Sequence, residues 1–315
     1  VSLPYLLRRL GLAVAVLWAA WTVSFVVLYL LPGDPVATMA AAGDGEQPSP
    51  AELDALRARY GLDQPLIVQY GTKLWAALQG DLGISFATGE PVRSAIGAAL
   101  PPTLQIAGAG LLVAVTGGTA VALAATGSRH AWLRQALGAV PSLAVSLPVF
   151  WVGLMLVQLF SFRLGWLPAV GARGPGSLVL PAIALGLPTG ALIAQVLAAS
   201  LTRSLQSPFV TTARAKGVGE AAVLLRHALG TATLPALTVL GTVVGNLVAG
   251  SVVVETVFTR PGLGRLTVAS VGVQDIPVVQ GVVLFAALAF VVVNLLVDLA
   301  YPLLDPRITV SGGAR

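Results

Sequence analysis

The chain has 315 residues, of which 56% are hydrophobic and 10% charged, with a mean hydropathy of +0.88. Soluble globular domains carry about 25% charged residues, so this composition excludes a water-bounded fold and makes the bilayer the main solvent. The net charge of +5 comes from basic residues scattered at the ends of apolar runs, not clustered on one face, which argues against nucleic-acid binding.

Arg8-Arg9 precede a first apolar run, Leu10–Leu31. A signal-peptide core spans about 7–15 residues and ends at a small-residue cleavage site. This run is longer and has no such site, so it reads as a retained span. A span needs about 20 apolar residues. Five further runs qualify: Leu104–Thr126, Ala136–Phe160, Leu178–Leu201, Leu234–Phe258 and Val278–Leu299. The expected fold is therefore all-α and integral to the membrane, with six transmembrane helices and both termini on one side. Arg8, Arg9, Arg129, Arg134, Arg203, Arg214, Lys216, Arg226, Arg307 and Arg315 all fall on that side. The positive-inside rule makes it the cytoplasm.

Residues 32–103 form a long outward segment. Ser49 is placed to cap a helix that carries Pro50 and Glu52 in its first turn and stops at Gly61. A second helix is expected over Leu66–Leu78, with Leu66, Tyr70, Leu74 and Ala77 on one face. This makes a small helical cap outside the membrane.

Inside the spans lie Pro141, Pro148, Pro181, Pro188 and Pro235, whose freed carbonyls need neighbouring helices or a hydrated path. Gly241-x-x-x-Gly245 reads as tight helix packing or as a gate. Polar residues are few. Gln105, Gln195 and Asn246 either bond between helices or line a translocation path. Glu255 and Asp298 lie near span ends, where a carboxylate reaches water. No ladder of carboxylates crosses the membrane.

Catalytic and nucleotide signatures are missing. Lys73 and Lys216 lack the Gly-Lys-Ser/Thr context of a phosphate loop, and no zinc-protease or serine-elbow motif occurs. Cysteine is absent, and His130 and His227 are isolated, so no metal or bound cofactor is expected. Uphill transport would draw its energy from a partner.

The segment TTARAKGVGEAAVLLRHALG, residues 211–230, is polar between two spans. Ser207-Pro208 starts a helix, serine accepting from free N–H groups and proline filling the first turn. Gly217 ends it in the left-handed position. Glu220 opens a second helix, which Gly230 breaks before the fifth span. The segment is either a basic loop on lipid headgroups or a rigid docking helix held by two spans.

Its ARAKG (213–217) and RHAL (226–229) stretches resemble the docking loop of peptide-class permeases of ATP-binding-cassette importers. The resemblance covers nearly the whole chain, through LPGDP (31–35), GLDQPL (61–66), GDLGIS (80–85), SLPVFW (146–151), LGWLPA (164–169), VVVETVF (252–258), PGLG (261–264), PVVQG (277–281) and NLLVDLAYPLLDPRI (294–308). The long insert and DPRI ending are similar to the B-type member of dipeptide and oligopeptide systems.

The resemblance implies a type-1 importer permease fold. It divides the chain into a first helix plus extracytoplasmic insert (1–96), a permease domain (97–302) and a cytoplasmic tail (303–315). It implies a second homologous permease, two ATPase subunits that carry ATP and Mg, an extracytoplasmic substrate-binding protein, and alternating access in a bacterial cytoplasmic membrane. Phe209, Thr212, Ala213, Arg214, Ala215, Lys216 and Gly217 would couple to the ATPases. Glu255, Arg260, Pro261, Gly262, Gly264 and Arg265 would form an outer-mouth loop. The letters EAA at 220–222 are a decoy, since the family's signature aligns with Thr211–Ala213 ahead of Gly217. The sequence departs from the family at Pro208, Phe209 and Gly230-Thr231. Nickel chelates, haem or another small ligand are alternative cargoes; a membrane enzyme or passive channel is the alternative of another class.

Overall fold

The computed structural model describes residues 3–30, 36–37, 49–168, 174 and 176–304. LPGDP and the DPRI ending lie outside these residues, as do the side chains of Asn246 and Asp298. In chain order the helices are α1 (Leu3–Leu30), α2 (Pro50–Arg59), α3 (Leu66–Leu78), α4 (Val92–Gly127), α5 (Ala131–Ser146), α6 (Val149–Leu156), α7 (Gly176–Leu205), α8 (Pro208–Ala215), α9 (Glu220–Ala222), α10 (Leu229–Val257), α11 (Leu263–Gly272) and α12 (Ile276–Leu304). Wider, π-helical turns follow α6 over Val157–Arg163 and α9 over Val223–Ala228.

Four described helices, α1, α4, α7 and α12, are long and apolar enough to cross a membrane. A fifth crossing exists if α5 and α6 together make one. Within the expected span Ala136–Phe160 the chain bends by 104° between α5 and the helix that follows. Pro148 is the cause. Proline lacks the N–H a continuing helix needs, and it pushes the preceding residue out of the helical region. Leu147 is accordingly extended, at φ −83° and ψ 126°. Pro141 sits inside α5 without interrupting it.

The chain packs as two compact units. The first holds the described residues of Val1–Pro102 and Pro261–Val291. Here α2 begins as expected: the Ser49 N–H donates to Glu52 Oε2 at 2.8 Å, and the Glu52 N–H donates to Ser49 Oγ at 3.4 Å. Gly61 ends the turn after α2 at φ +65°. α3 has the expected limits. Leu66 is exposed, whereas Gln69 is buried and donates to the Gln64 carbonyl at 2.7 Å. Tyr70 reaches α1, where its hydroxyl lies 2.8 Å from Thr22 Oγ1 and its ring meets Phe25 edge-on. Asp275 immediately precedes α12, and its carboxylate is buried. It accepts from Ser85 Oγ, from the Phe86 N–H at 3.0 Å and from the Ala87 N–H at 3.4 Å.

The second unit holds the described residues of Thr103–Arg260 and Val292–Gly313. Its core joins Ile106, Leu180, Leu185, Ile193, Val243, Leu247, Val254 and Phe258. The backbones of α4 and α7 touch along a seam of small residues. A methyl group added at Gly118 would lie 2.4 Å from the Gly190 carbonyl oxygen, and one at Gly186 would lie 2.6 Å from that of Gly110. Small residues allow this approach, and dispersion contacts between closely set backbones hold the helices together. Gly241, half of the expected Gly241/Gly245 pair, lies outside the residues whose surroundings are described.

Candidate functional site

The chain leaves α7 at Leu205 and turns through Ser207, which is extended at φ −74° and ψ 149°. The expected serine cap is corrected here. The Ser207 side chain makes no capping bond; its carbonyl accepts the Val210 N–H at 3.0 Å instead. Pro208 supplies a first residue already fixed near helical φ. Val210 and Ala213, three apart and so on one face, are buried against Val223, Leu205 and Val218. Phe209, Thr212, Arg214, Ala215, Lys216 and Gly217 are exposed. Of the seven proposed coupling residues, Ala213 therefore anchors the helix while the other six face outward.

The end of α8 is tightly specified. Gly217 has φ +81°. Its N–H donates to the Arg214 carbonyl at 2.9 Å, and the Val218 N–H donates to the Ala213 carbonyl at 3.2 Å. This is the Schellman arrangement, with its accompanying apolar contact between Val218 and the buried helix face.

Glu220 is not inert. It accepts from Arg214 through two bonds, Nε–Oε1 at 2.8 Å and a terminal nitrogen–Oε2 at 2.9 Å. The acid of the EAA letters thus clasps the turn around Gly217. Both groups are exposed. The hydrogen bonds lower the Glu220 pKa and raise that of Arg214. The clasp is therefore complete above the ordinary carboxylate range and is lost as pH falls through the lowered Glu220 pKa. Of the two bases in the proposed coupling set, Arg214 and Lys216, Arg214 is half of an ion pair.

The expected break at Gly230 is also corrected. From Glu220 the chain stays helical through the wide turns into α10, with Gly230 inside it. Gly230 is not among the residues of positive φ, so nothing there forces an exit from the helix.

At the other end of α10 the second unit brings Arg260 and Gln105 together. One terminal nitrogen of Arg260 donates to Ser177 Oγ at 3.0 Å, the other to Gln105 Oε1 at 3.5 Å. The expectation that Glu255 reaches water is corrected. Its side chain is fully buried and accepts from Thr103 Oγ1 at 2.6 Å. The helix between Val252 and Val257 turns this residue toward α4, which supplies the hydroxyl that a buried carboxylate needs.

In the first unit, Gly262 precedes α11, where its carbonyl accepts the Leu266 N–H at 2.9 Å. Gly262 and Gly264 are buried, while Pro261 and Arg265 are exposed. Gln195 is exposed on α7, with Nε2 3.5 Å from Ser142 Oγ on α5. Gln105 and Gln195 therefore meet different neighbours, and the Asn246 side chain lies outside the described residues. Among the described residues no three His, Asp or Glu side chains are grouped to hold a metal. Sequence reasoning missed Glu220, Ser177 and Thr103. Only Glu220 carried a local signal, an acid just beyond a glycine turn that follows a base.

Residues 92–310 match the family described as binding-protein-dependent transport system inner membrane component, and residues 2–107 match the corresponding N-terminal family. The chain belongs to this permease family. The permease is 38% identical over 311 residues to a Brucella suis biovar 1 (strain 1330) protein named for a peptide transport system, covering 96% of this chain and 98% of the relative. It is 37% identical over 306 residues to a glutathione transport system permease protein of Escherichia coli (strain K12), covering 97% and 99%. A crystal structure of an amino acid ABC transporter with histidines matches 69% of the permease and 95% of its own chain, at a TM-score of 0.50 and 18% identity. That likeness concerns the fold alone. The permease is thus an all-helical, multi-pass bacterial inner-membrane component of a transport system.

Proposed function

We propose that this permease is half of the translocation path of an ATP-driven importer of short peptides. It works by alternating access, with α8 receiving the stroke of cytosolic ATPases. Six crossings, α1, α4, the bent α5–α6 pair, α7, α10 and α12, put both termini in the cytoplasm. The permease domain proper is 97–302, preceded by the first helix and insert (1–96) and followed by a tail (303–315). A second homologous permease completes the path, an extracytoplasmic binding protein delivers cargo, and two ATPase subunits hold ATP and Mg. The relatives' names, peptide and glutathione, support a short peptide as cargo. Gln105, Gln195 and Asn246 remain the candidates for lining the path. Glu255, Arg260, Pro261, Gly262, Gly264 and Arg265 remain the candidates for the outer mouth.

The observation that carries this reading is the build of α8. It is a short helix buried through Val210 and Ala213, closed by a Schellman turn and clasped by Arg214–Glu220, with Phe209 and Lys216 facing out. A helix fixed in this way moves as one body with α7 and α10 when a partner pushes on it.

The test is Gly217→Val in the complete complex reconstituted in liposomes. At φ +81° a side chain is strained by about 1–2 kcal/mol. Gly219→Val is the control, because Gly219 is extended and has open space around it. Substrate-stimulated ATP hydrolysis and uptake should fall several-fold in Gly217→Val and stay near wild type in Gly219→Val. Full activity in Gly217→Val removes the coupling role.

A further inference from the structure

The first unit contains a cavity of about 250 Å³ that no step of transport calls on. Trp21 and Tyr29 of α1 line it, with Lys73 of α3 and Gln280 of α12, and Arg59 at the end of α2. Three of these side chains bring polar atoms that are buried without any hydrogen-bond partner: Trp21 Nε1, Tyr29 Oη and Gln280 Nε2. Trp21 and Gln280 are only 5% and 4% exposed. Buried polar atoms are almost always satisfied, so three orphans around one cavity call for an occupant.

Their chemistry says which kind. Indole and amide N–H groups only donate, and a phenol donates readily. Lys73 adds a cation, its Nζ 5.7 Å from the centroid of the Tyr29 ring. Among the described residues the one acid in the lining, Asp81, is exposed, and its Oδ1 already accepts the Gly83 N–H at 2.9 Å. Water would satisfy the orphans one by one but would bring no negative charge to a lining whose described residues hold two cations, Lys73 and Arg59, against one acid, Asp81. A phosphate group offers several acceptor oxygens and a negative charge at once. The space holds several times the roughly 30 Å³ that one water occupies in the liquid. Tyr29 ends the apolar stretch Leu7–Tyr29, the level at which Trp and Tyr meet headgroups.

We propose that this cavity is a phosphate-binding site, filled by the phosphodiester of an anionic phospholipid or by free phosphate. Burial lowers the Lys73 pKa. A bound anion offsets that cost and ties α1, α3 and α12 together at one point.

The full-length permease, delipidated in mild detergent, is titrated with phosphatidylglycerol and analysed by native mass spectrometry. In parallel, its thermal unfolding is followed with inorganic phosphate alone. Wild type should retain one phosphatidylglycerol at collision energies that strip annular lipid. Lys73→Met should retain none, and Gln280→Met and Trp21→Phe should bind about tenfold more weakly. These two milder changes keep the shape and guard against a fold defect in Lys73→Met. If phosphate alone raises the unfolding temperature of wild type but not of the variants, and no lipid is retained, the source is the free anion. Retention that is equal in wild type and all three variants, or no response in either arm, overturns the site. Neither readout uses ATP or uptake, so the outcome is independent of the transport reading.

Discussion

Asp275 carries more than its place at the head of a span suggests. Its buried carboxylate gathers one hydroxyl and two backbone N–H groups from Ser85–Ala87. Hydrogen bonds to a charged group contribute about 1.5–3 kcal/mol each, and orphaned backbone donors add a desolvation cost. Asp275→Ala should therefore destabilise the permease by about 3 kcal/mol or more. Asp275→Asn, which keeps one acceptor oxygen, should cost roughly half of that. Thermal unfolding in detergent gives the order, wild type above Asn above Ala; an alanine variant as stable as wild type removes the clamp. Glu255 teaches the same lesson in the second unit. A lone acid near a span end reads as water-facing, yet here a hydroxyl on another helix takes that place.

At the scale of helices, the α4–α7 seam sets how near two spans approach. Overpacking a tight contact costs typically about 1–3 kcal/mol. Gly118→Ala should fall in or above that range, because its new methyl group meets a backbone carbonyl that has no rotamer to escape into. Gly117→Ala has nothing within 4 Å of the added group and gains helix propensity, so it should be neutral or slightly stabilising. Unfolding temperatures of the two variants side by side decide the matter, and equal values would contradict the seam. Neighbouring glycines in one sequence window cannot be told apart by composition. The same holds for Pro141 and Pro148, of which only the second breaks a helix.

At the scale of the whole molecule, the proposed topology puts α2 outside and α8 inside. The chain has no native cysteine, so single cysteines report sidedness cleanly. Ala58→Cys and Thr211→Cys both sit on exposed helix positions. In right-side-out vesicles an impermeant maleimide should label the first and not the second, with the reverse in inverted vesicles. Labelling of both from one side would overturn six crossings with cytoplasmic termini.

The sequence by itself determined what depends on near neighbours along the chain. The apolar runs required a membrane. Ser49 and Glu52 marked the start of α2, three residues apart in one capping box. Gly217 marked the end of α8, because only glycine takes that φ without strain. The ordered motifs pointed to the permease family. Tertiary structure decided what depends on residues far apart. It placed Glu255 against Thr103, 152 positions away, and Asp275 against Ser85, 190 positions away. It chose which glycines met a facing backbone, and it gathered the three orphaned polar atoms of α1 and α12 around one cavity. Helix propensity and hydropathy are sums over adjacent residues. Close packing and buried hydrogen bonds depend on which surfaces meet, and local sums do not hold that information.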